Sequence, residues 1–268
     1  MATALDLEAY LSRVNWQGSL LPNLETLTRL QEAHMRHIPF ENLDVLLGRP
    51  ISLDLGALQA KLIQARRGGY CFEHVTLLGA VLESLGFSLQ AHTARVVMFV
   101  PLHEAPRTHM FLTVSLPEGL FVVDPGFGGA GPRYPLAMRK DQADDSHWME
   151  QDSSCWRLKT RVRDEVRTLW ITTLDPDYPV DFLMGNHYTA TFPESPFRNR
   201  LMLRAWIPGG QVTVMNRECT FWQDSRLTRK TLENRQELRQ LLMDHFGFDL
   251  PEVIQLHIPQ VPEWHEGE

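Results

Sequence analysis

The chain has 268 residues, 43% apolar and 22% charged, the balance of a globular protein long enough to bury a core without disulfides or structural metals. Its 33 acidic against 26 basic residues give a formal charge of −7 at pH 7, which argues against broad binding to nucleic acid or an anionic membrane and leaves room only for a local basic pocket for a small anion. No apolar run approaches the ~20 residues that span a bilayer, and the N-terminus has neither a basic start nor an apolar h-region. Three widely spaced cysteines, Cys71, Cys155 and Cys219, form neither a disulfide framework nor a zinc pair. These features lead us to expect a cytoplasmic protein with no metal site and no membrane or nucleic-acid partner.

Helical periodicity dominates the first third. Leu7, Tyr10, Leu11 and Val14 share one face behind Asp6 as N-cap, and Leu24, Leu27 and Leu30 form a second stripe after Pro22-Asn23. Leu55, Leu58, Leu62 and Ile63 make a third, starting near Asp54 and stopping before Gly68-Gly69. A fourth runs from Cys71 to Leu85 and ends at Gly86, because glycine takes the left-handed C′ conformation without steric cost. From residue 89 the pattern changes to strand. The alternation over 108–116, a three-residue turn at Pro117-Glu118-Gly119 and the run Leu120 to Asp124 predict a hairpin. Further pairs are Trp156 to Val162 with Val166 to Thr172, and Leu201 to Ile207 with Gln211 to Val214 across Pro208-Gly209-Gly210. Polar residues 141–154 read as a loop. The end returns to helix, with Leu238, Leu241, Leu242 and Phe246 in register and Gly247 as the stop. Helices, then antiparallel strands, then a mixed end describe an α+β protein rather than a doubly wound sheet.

The densest chemical signal is Arg66-Arg67-Gly68-Gly69-Tyr70-Cys71-Phe72-Glu73-His74. It places Cys71 at or near a helix N-terminus, where unpaired N–H groups favour a thiolate. A lone cysteine is by default a small buried residue; the glycine pair, the helix start and the adjacent arginines favour a nucleophile instead. A nucleophile needs a base and a group to orient that base. His109 opens one strand of the predicted hairpin and Asp124 ends the other, so pairing brings them together. Among 11 histidines, His34, His37, His74, His92, His103 and His147 are read as ordinary hydrogen-bonded groups. His74 is the best rival base, although it lies on the same helix as Cys71 with only Glu73 beside it. After Asp124, Pro125-Gly126-Phe127-Gly128-Gly129 lets the backbone approach a ligand closely; with no Gly-Lys-Ser/Thr it is not a P-loop.

These motifs, in this order, resemble the arylamine N-acetyltransferase family of bacterial type: Ile38-Pro39-Phe40-Glu41-Asn42-Leu43, Arg67-Gly68-Gly69-Tyr70-Cys71-Phe72-Glu73, Thr108-His109-Met110 and Asp124-Pro125-Gly126-Phe127-Gly128. Asn186-His187-Tyr188 and Ser195-Pro196-Phe197 extend the likeness, which runs from about residue 5 to about residue 220. The resemblance implies an α+β, papain-like cysteine-enzyme core in three parts: a helical bundle over 1–86 with the cysteine, a β-barrel-like region over 87–195 with the histidine and aspartate, and an α/β lid over 196–268. It implies a Cys71, His109, Asp124 triad and a ping-pong transfer. The acetyl group passes from acetyl-CoA, a substrate rather than a bound cofactor, to arylamines, arylhydrazines or arylhydroxylamines, a reaction of xenobiotic metabolism. Phe40 and Phe127 match acceptor-pocket positions, Gly126, Gly128 and Gly129 fall to the CoA side, and Glu41 with Arg67 reads as a structural ion pair. Backbone N–H groups near Cys71 would hold the oxyanion. Val75 stands where the family usually has Asn, and Pro125 where it more often has Val. The rival readings are a cysteine hydrolase or transglutaminase-like acyl transferase on the same residues, and a catalytically idle binding protein. A monomer or homodimer is expected.

Overall fold

The computed structural model describes residues 3–139, 146–162, 164–261 and 264. Asp6 accepts from Ala9 N at 2.9 Å and starts helix α1 (Leu7–Arg13). Asn23 accepts from Thr26 N in the same way at the start of α2 (Leu24–His37). A two-residue strand β1 (Phe40–Glu41) and a single turn α3 (Leu43–Leu46) follow. Asp54 caps α4 (Leu55–Leu58), which widens into a π-helical turn over Gln59–Gln64. Next comes α5 (Cys71–Ser84), closed by Gly86 at φ +87°. Strands β2 (Ser88–Val96), β3 (Arg107–Leu116), β4 (Gly119–Val123) and β5 (Leu136–Ala137) lead to β6 (His147–Asp152), β7 (Cys155–Val162) and β8 (Glu165–Thr172). Helices α6 (Pro179–Thr191) and α7 (Pro196–Asn199) precede β9 (Met202–Ile207), β10 (Gly210–Met215), β11 (Glu218–Gln223) and β12 (Arg226–Thr231). The last helix, α8 (Arg235–Leu241), ends in a π-helical turn that stops at Gly247, φ +79°. The fold is α+β.

Packing groups the chain into two compact units. The first comprises Met1–Trp16, Ala33–Tyr70 and His187–Glu268. Its sheet has the antiparallel order β1-β9-β10-β11-β12. Leu203, Ala205, Ile207, Val212 and Val214 alternate onto the face that packs with Leu238, Leu242 and Phe246. The second unit comprises Gln17–Glu32 and Cys71–Asn186. Its seven antiparallel strands run β5-β4-β3-β2-β8-β7-β6, and the end strands β5 and β6 approach each other, so the sheet is nearly a closed barrel. Helix α5 packs on β2 and β3. Phe111, Val122, Leu158 and Trp170 fill the core beneath.

Three expectations are corrected. The β3–β4 turn is the two residues Pro117-Glu118, because Gly119 already pairs with Leu116. Residues 147–152, read as loop, form β6; its polar sequence is held by a full ladder to β7. Of the rest of that predicted loop, 146, 153 and 154 lie outside the strands, and 141–145 fall outside the described residues. The Pro208-Gly209-Gly210 turn likewise shortens, since Gly210 pairs with Ile207. Helix α6 and strands β11 and β12 have no counterpart in the periodicity reading. Among the described residues no helix is long and apolar enough to cross a membrane.

Candidate active site

The segment leading to the cysteine is shaped in the first unit. The left-handed step falls on Arg66, φ +55°, not on the glycines. Gly69 instead forms a parallel bridge with Phe40: Glu41 N donates to Gly69 O at 2.8 Å, and Gly69 N to Pro39 O at 3.2 Å. A Cβ on Gly68 would lie 1.9 Å from Pro39 O, so glycine is needed there for close backbone approach. Arg67 then donates to Glu41 Oε1 at 2.6 Å and Asp44 Oδ1 at 2.7 Å, and Lys61 pairs with Asp44 Oδ2 at 2.8 Å. Burial alone would raise the Asp44 carboxyl, but Lys61 and Arg67 overcome it and hold it down to about 2. Asn42 uses its whole side chain to tie this segment to α7, donating to Phe197 O and Arg200 O at 2.7 Å each and accepting from Met202 N at 2.9 Å. Phe40 is half-buried, 6.3 Å from the Phe197 ring, which in turn meets Tyr70 edge-on at 5.3 Å.

Cys71, His109, Asp124 and Phe127 come together in the second unit. Cys71 is the first residue of α5, 3% exposed, with its Sγ 3.8 Å from Thr108 O, directly before His109. His109 Nε2 donates to Asp124 Oδ2 at 2.8 Å, which leaves Nδ1 for the sulfur. Asp124 follows β4, and the register Leu112↔Val123 places it beside the His109 end of β3. His109 is 2% and Asp124 0% exposed. Burial by itself would discharge the imidazole; the Asp124 charge and hydrogen bond, with hydrogen bonding and charge from Cys71, overcome it and raise His109 to about 10. The ring is therefore an imidazolium at neutral pH.

The glycine-rich loop touches the same centre. A Cβ on Gly126 would lie 2.5 Å from Cys71 Cα, so only glycine lets this loop pack on the first turn of α5. Phe127 is half-buried and meets the His109 ring edge-on at 4.9 Å. Gly128 takes φ +81°, and Gly129 is exposed. His147 Nε2 bonds Ala130 O at 2.8 Å and secures the far side of the loop. Pro125 is buried, and Val75 is fully buried in the core.

The histidines read as ordinary have partners elsewhere: His34 with Tyr10, His37 with Ala33 O, His92 with Thr113, and His103 with Glu104. His74 is buried on α5. Burial pushes the Cys219 thiol up to about 12, which makes it inert, and Cys155 begins β7. The motif reading missed one residue at this centre. Trp170 Nε1 donates to Asp124 Oδ2 at 3.0 Å, from a strand 46 positions away. Among the described residues no group of three or more His, Cys, Asp or Glu is placed to hold a metal ion.

Residues 23–254 match the family model described as N-acetyltransferase. The chain is 35% identical over 253 residues to the arylamine N-acetyltransferase / N-hydroxyarylamine O-acetyltransferase of Salmonella typhimurium, covering 92% of this chain and 90% of the relative. It is 33% identical over 260 residues to the arylamine N-acetyltransferase of Mycolicibacterium smegmatis, with 93% and 94% covered. The solved structure of the Salmonella typhimurium protein superposes with a TM-score of 0.86 at 34% identity over 92% of each chain. That of the Mycobacterium marinum arylamine N-acetyltransferase in complex with CoA gives 0.87 at 33%, over 92% of this chain and 94% of the other.

Proposed function

The chain belongs to the arylamine N-acetyltransferase family, and from that premise we propose that Cys71, His109 and Asp124 carry out a ping-pong acetyl transfer. The enzyme is an acyltransferase that takes acetyl-CoA as donor and arylamines, arylhydrazines or arylhydroxylamines as acceptors. The observation that carries the residue assignment is the cysteine at the head of α5 beside an imidazolium fixed by a buried carboxylate at 2.8 Å.

The Cys71 thiolate attacks the thioester carbonyl carbon. As the carbon–sulfur bond to CoA breaks, the leaving sulfur takes the proton of the His109 imidazolium, and acetyl-cysteine remains. An acceptor nitrogen, or the oxygen of a hydroxylamine, then attacks the acetyl carbon. Its proton returns to His109 as the Cys71 sulfur leaves, restoring the ion pair. Asp124 keeps the ring oriented throughout and stabilises its charged form at the start and end of the cycle. We assign the acceptor to Phe40 and Phe127, supported by the half-buried Phe127 ring over His109. We assign the donor to the backbone at Gly126, Gly128 and Gly129, supported by the packing of Gly126 against Cys71. By chain order we read 1–86 as the segment that delivers the cysteine, 87–195 as the segment that delivers His109 and Asp124, and 196–268 as a lid. The reading includes a cytoplasmic location and a monomer or homodimer; the free state of all three thiols supports the first.

Intact-mass spectrometry tests this. Acetyl-CoA is expected to add one acetyl group to the wild type, to Cys155→Ala and to Cys219→Ala, and none to Cys71→Ala. An arylamine should discharge the adduct faster than water does. Acetylation of Cys71→Ala, or discharge by water alone, would overturn the mechanism.

A further inference from the structure

We propose that Trp170 is a positioning residue: its indole N–H fixes the Asp124 carboxylate and sets how tightly the Asp124–His109 pair holds its shared proton. The proposal rests on the triad reading above. Asp124 is 0% exposed, yet only Oδ2 is bonded, accepting from His109 Nε2 at 2.8 Å and from Trp170 Nε1 at 3.0 Å. Oδ1 is buried with no hydrogen-bond donor among the described residues. A buried carboxylate needs donors to stay charged, and among the described residues Trp170 is the one side-chain donor to Asp124 that does not itself titrate.

The indole is well placed to act this way. Trp170 is fully buried on β8, paired with Val96 of β2 and Leu158 of β7. Its ring stacks on Phe111 at 4.5 Å and 24°, and lies 6.1 Å from the His109 ring. Of the titratable groups nearby, Cys71 from α5 acts on His109, while His92 from β2 stacks on Phe111 and bonds Thr113. The indole draws charge from the same oxygen that holds His109. Without it the carboxylate becomes more basic and grips the imidazolium proton harder. The imidazolium then gives that proton less readily to the departing CoA sulfur.

The test is Trp170→Phe, which keeps a ring on Phe111 and deletes the N–H. Two quantities are read: the single-turnover rate of acetylation by acetyl-CoA, and the titration of the His109 imidazole by NMR, assigned through His109→Gln. We expect the rate to fall about tenfold and the imidazole titration to move up by about one pH unit, the size of one lost hydrogen bond to a charged group. Asp124→Asn should move the titration down. Phe111→Leu, which loosens the bed of the indole but keeps its N–H, should leave the titration in place. A slower Trp170→Phe with an unmoved or lowered titration would reduce Trp170 to packing and overturn the proposal, as would an unchanged rate. If Trp170→Phe does not fold, 3-benzothienylalanine at position 170 keeps the ring shape and removes the donor. The arms separate the two readings: an active Cys71→Ala sinks the triad itself, whereas an inactive Cys71→Ala with an unmoved Trp170→Phe titration sinks only the role of Trp170.

Discussion

Each group at the centre takes its behaviour from one or two neighbours. His109 is held protonated by the buried Asp124 carboxylate 2.8 Å away, whereas burial pushes the Cys219 thiol up to about 12. Phe127 meets the His109 ring edge-on at 4.9 Å, and the role proposed for it is acceptor binding. Phe127→Ala should lower kcat/KM for bulky arylamines by roughly tenfold, the value of a lost aromatic contact, and for a small aliphatic hydrazide by much less. Steady-state kinetics with both acceptors on one protein preparation check this; equal losses would assign Phe127 to the core. The His, Cys and Asp were legible in the sequence because each stands in a local motif. Trp170 was not, since its N–H meets Asp124 only through the pairing of β2 with β8.

At the scale of elements, the centre depends on three pieces of backbone meeting: the head of α5, the β3–β4 hairpin and the loop after Asp124. Gly126 is the tightest of these contacts. Gly126→Ala should push the loop off the first turn of α5, because the new Cβ would fall 2.5 Å from a backbone carbon that cannot rotate away. A displacement of this size at reacting groups costs about a hundredfold. Single-turnover acetylation should show that loss while thermal unfolding moves little; wild-type acetylation would mean the loop is not part of the catalytic geometry. Helices with a capping residue and a clean stripe, such as α1 behind Asp6, were readable from local pattern. α6 was not, because its apolar residues surround the helix; part of its hold is Gly185, where a Cβ would lie 2.9 Å from Phe72 Cζ. β12 was not, because Arg226–Thr231 is an exposed edge strand with no buried face to pattern.

At the scale of the whole molecule, the buried His109 and Asp44 are two of the groups that make stability depend on pH. His109 binds its proton more tightly folded than unfolded, so its contribution is complete below pH 6.5 and fades as pH rises toward about 10. Asp44 is the opposite case: its contribution is complete above pH 3.8 and is lost as pH falls toward about 2. Urea unfolding midpoints should therefore form a plateau between about pH 4 and 6.5 and decline on both sides, the alkaline decline running over the wider pH range. His109→Gln should flatten the alkaline side, and Asp44→Asn should lower the plateau and soften the acid side. An alkaline decline that His109→Gln leaves unchanged would place that titration elsewhere.

What the sequence determined by itself was local: caps at Asp6 and Asp54, stops at Gly86 and Gly247, strands joined by tight turns, a cysteine at a helix head, and a histidine and an aspartate on one hairpin. Each follows from a few residues whose backbone and hydrogen-bonding preferences act within one or two turns of chain. Tertiary structure alone decided the rest. It set the strand order that puts β8 beside β2, the ladder that makes a strand of polar 147–152, and the use of Gly68 and Gly126 for close approach rather than for turning. It also supplied the indole that gives the carboxylate's Oδ2 a second donor. These depend on which surfaces are buried together, and the burial of Asp124 between β3, β4 and β8 is what makes its charge strong enough to hold His109 protonated.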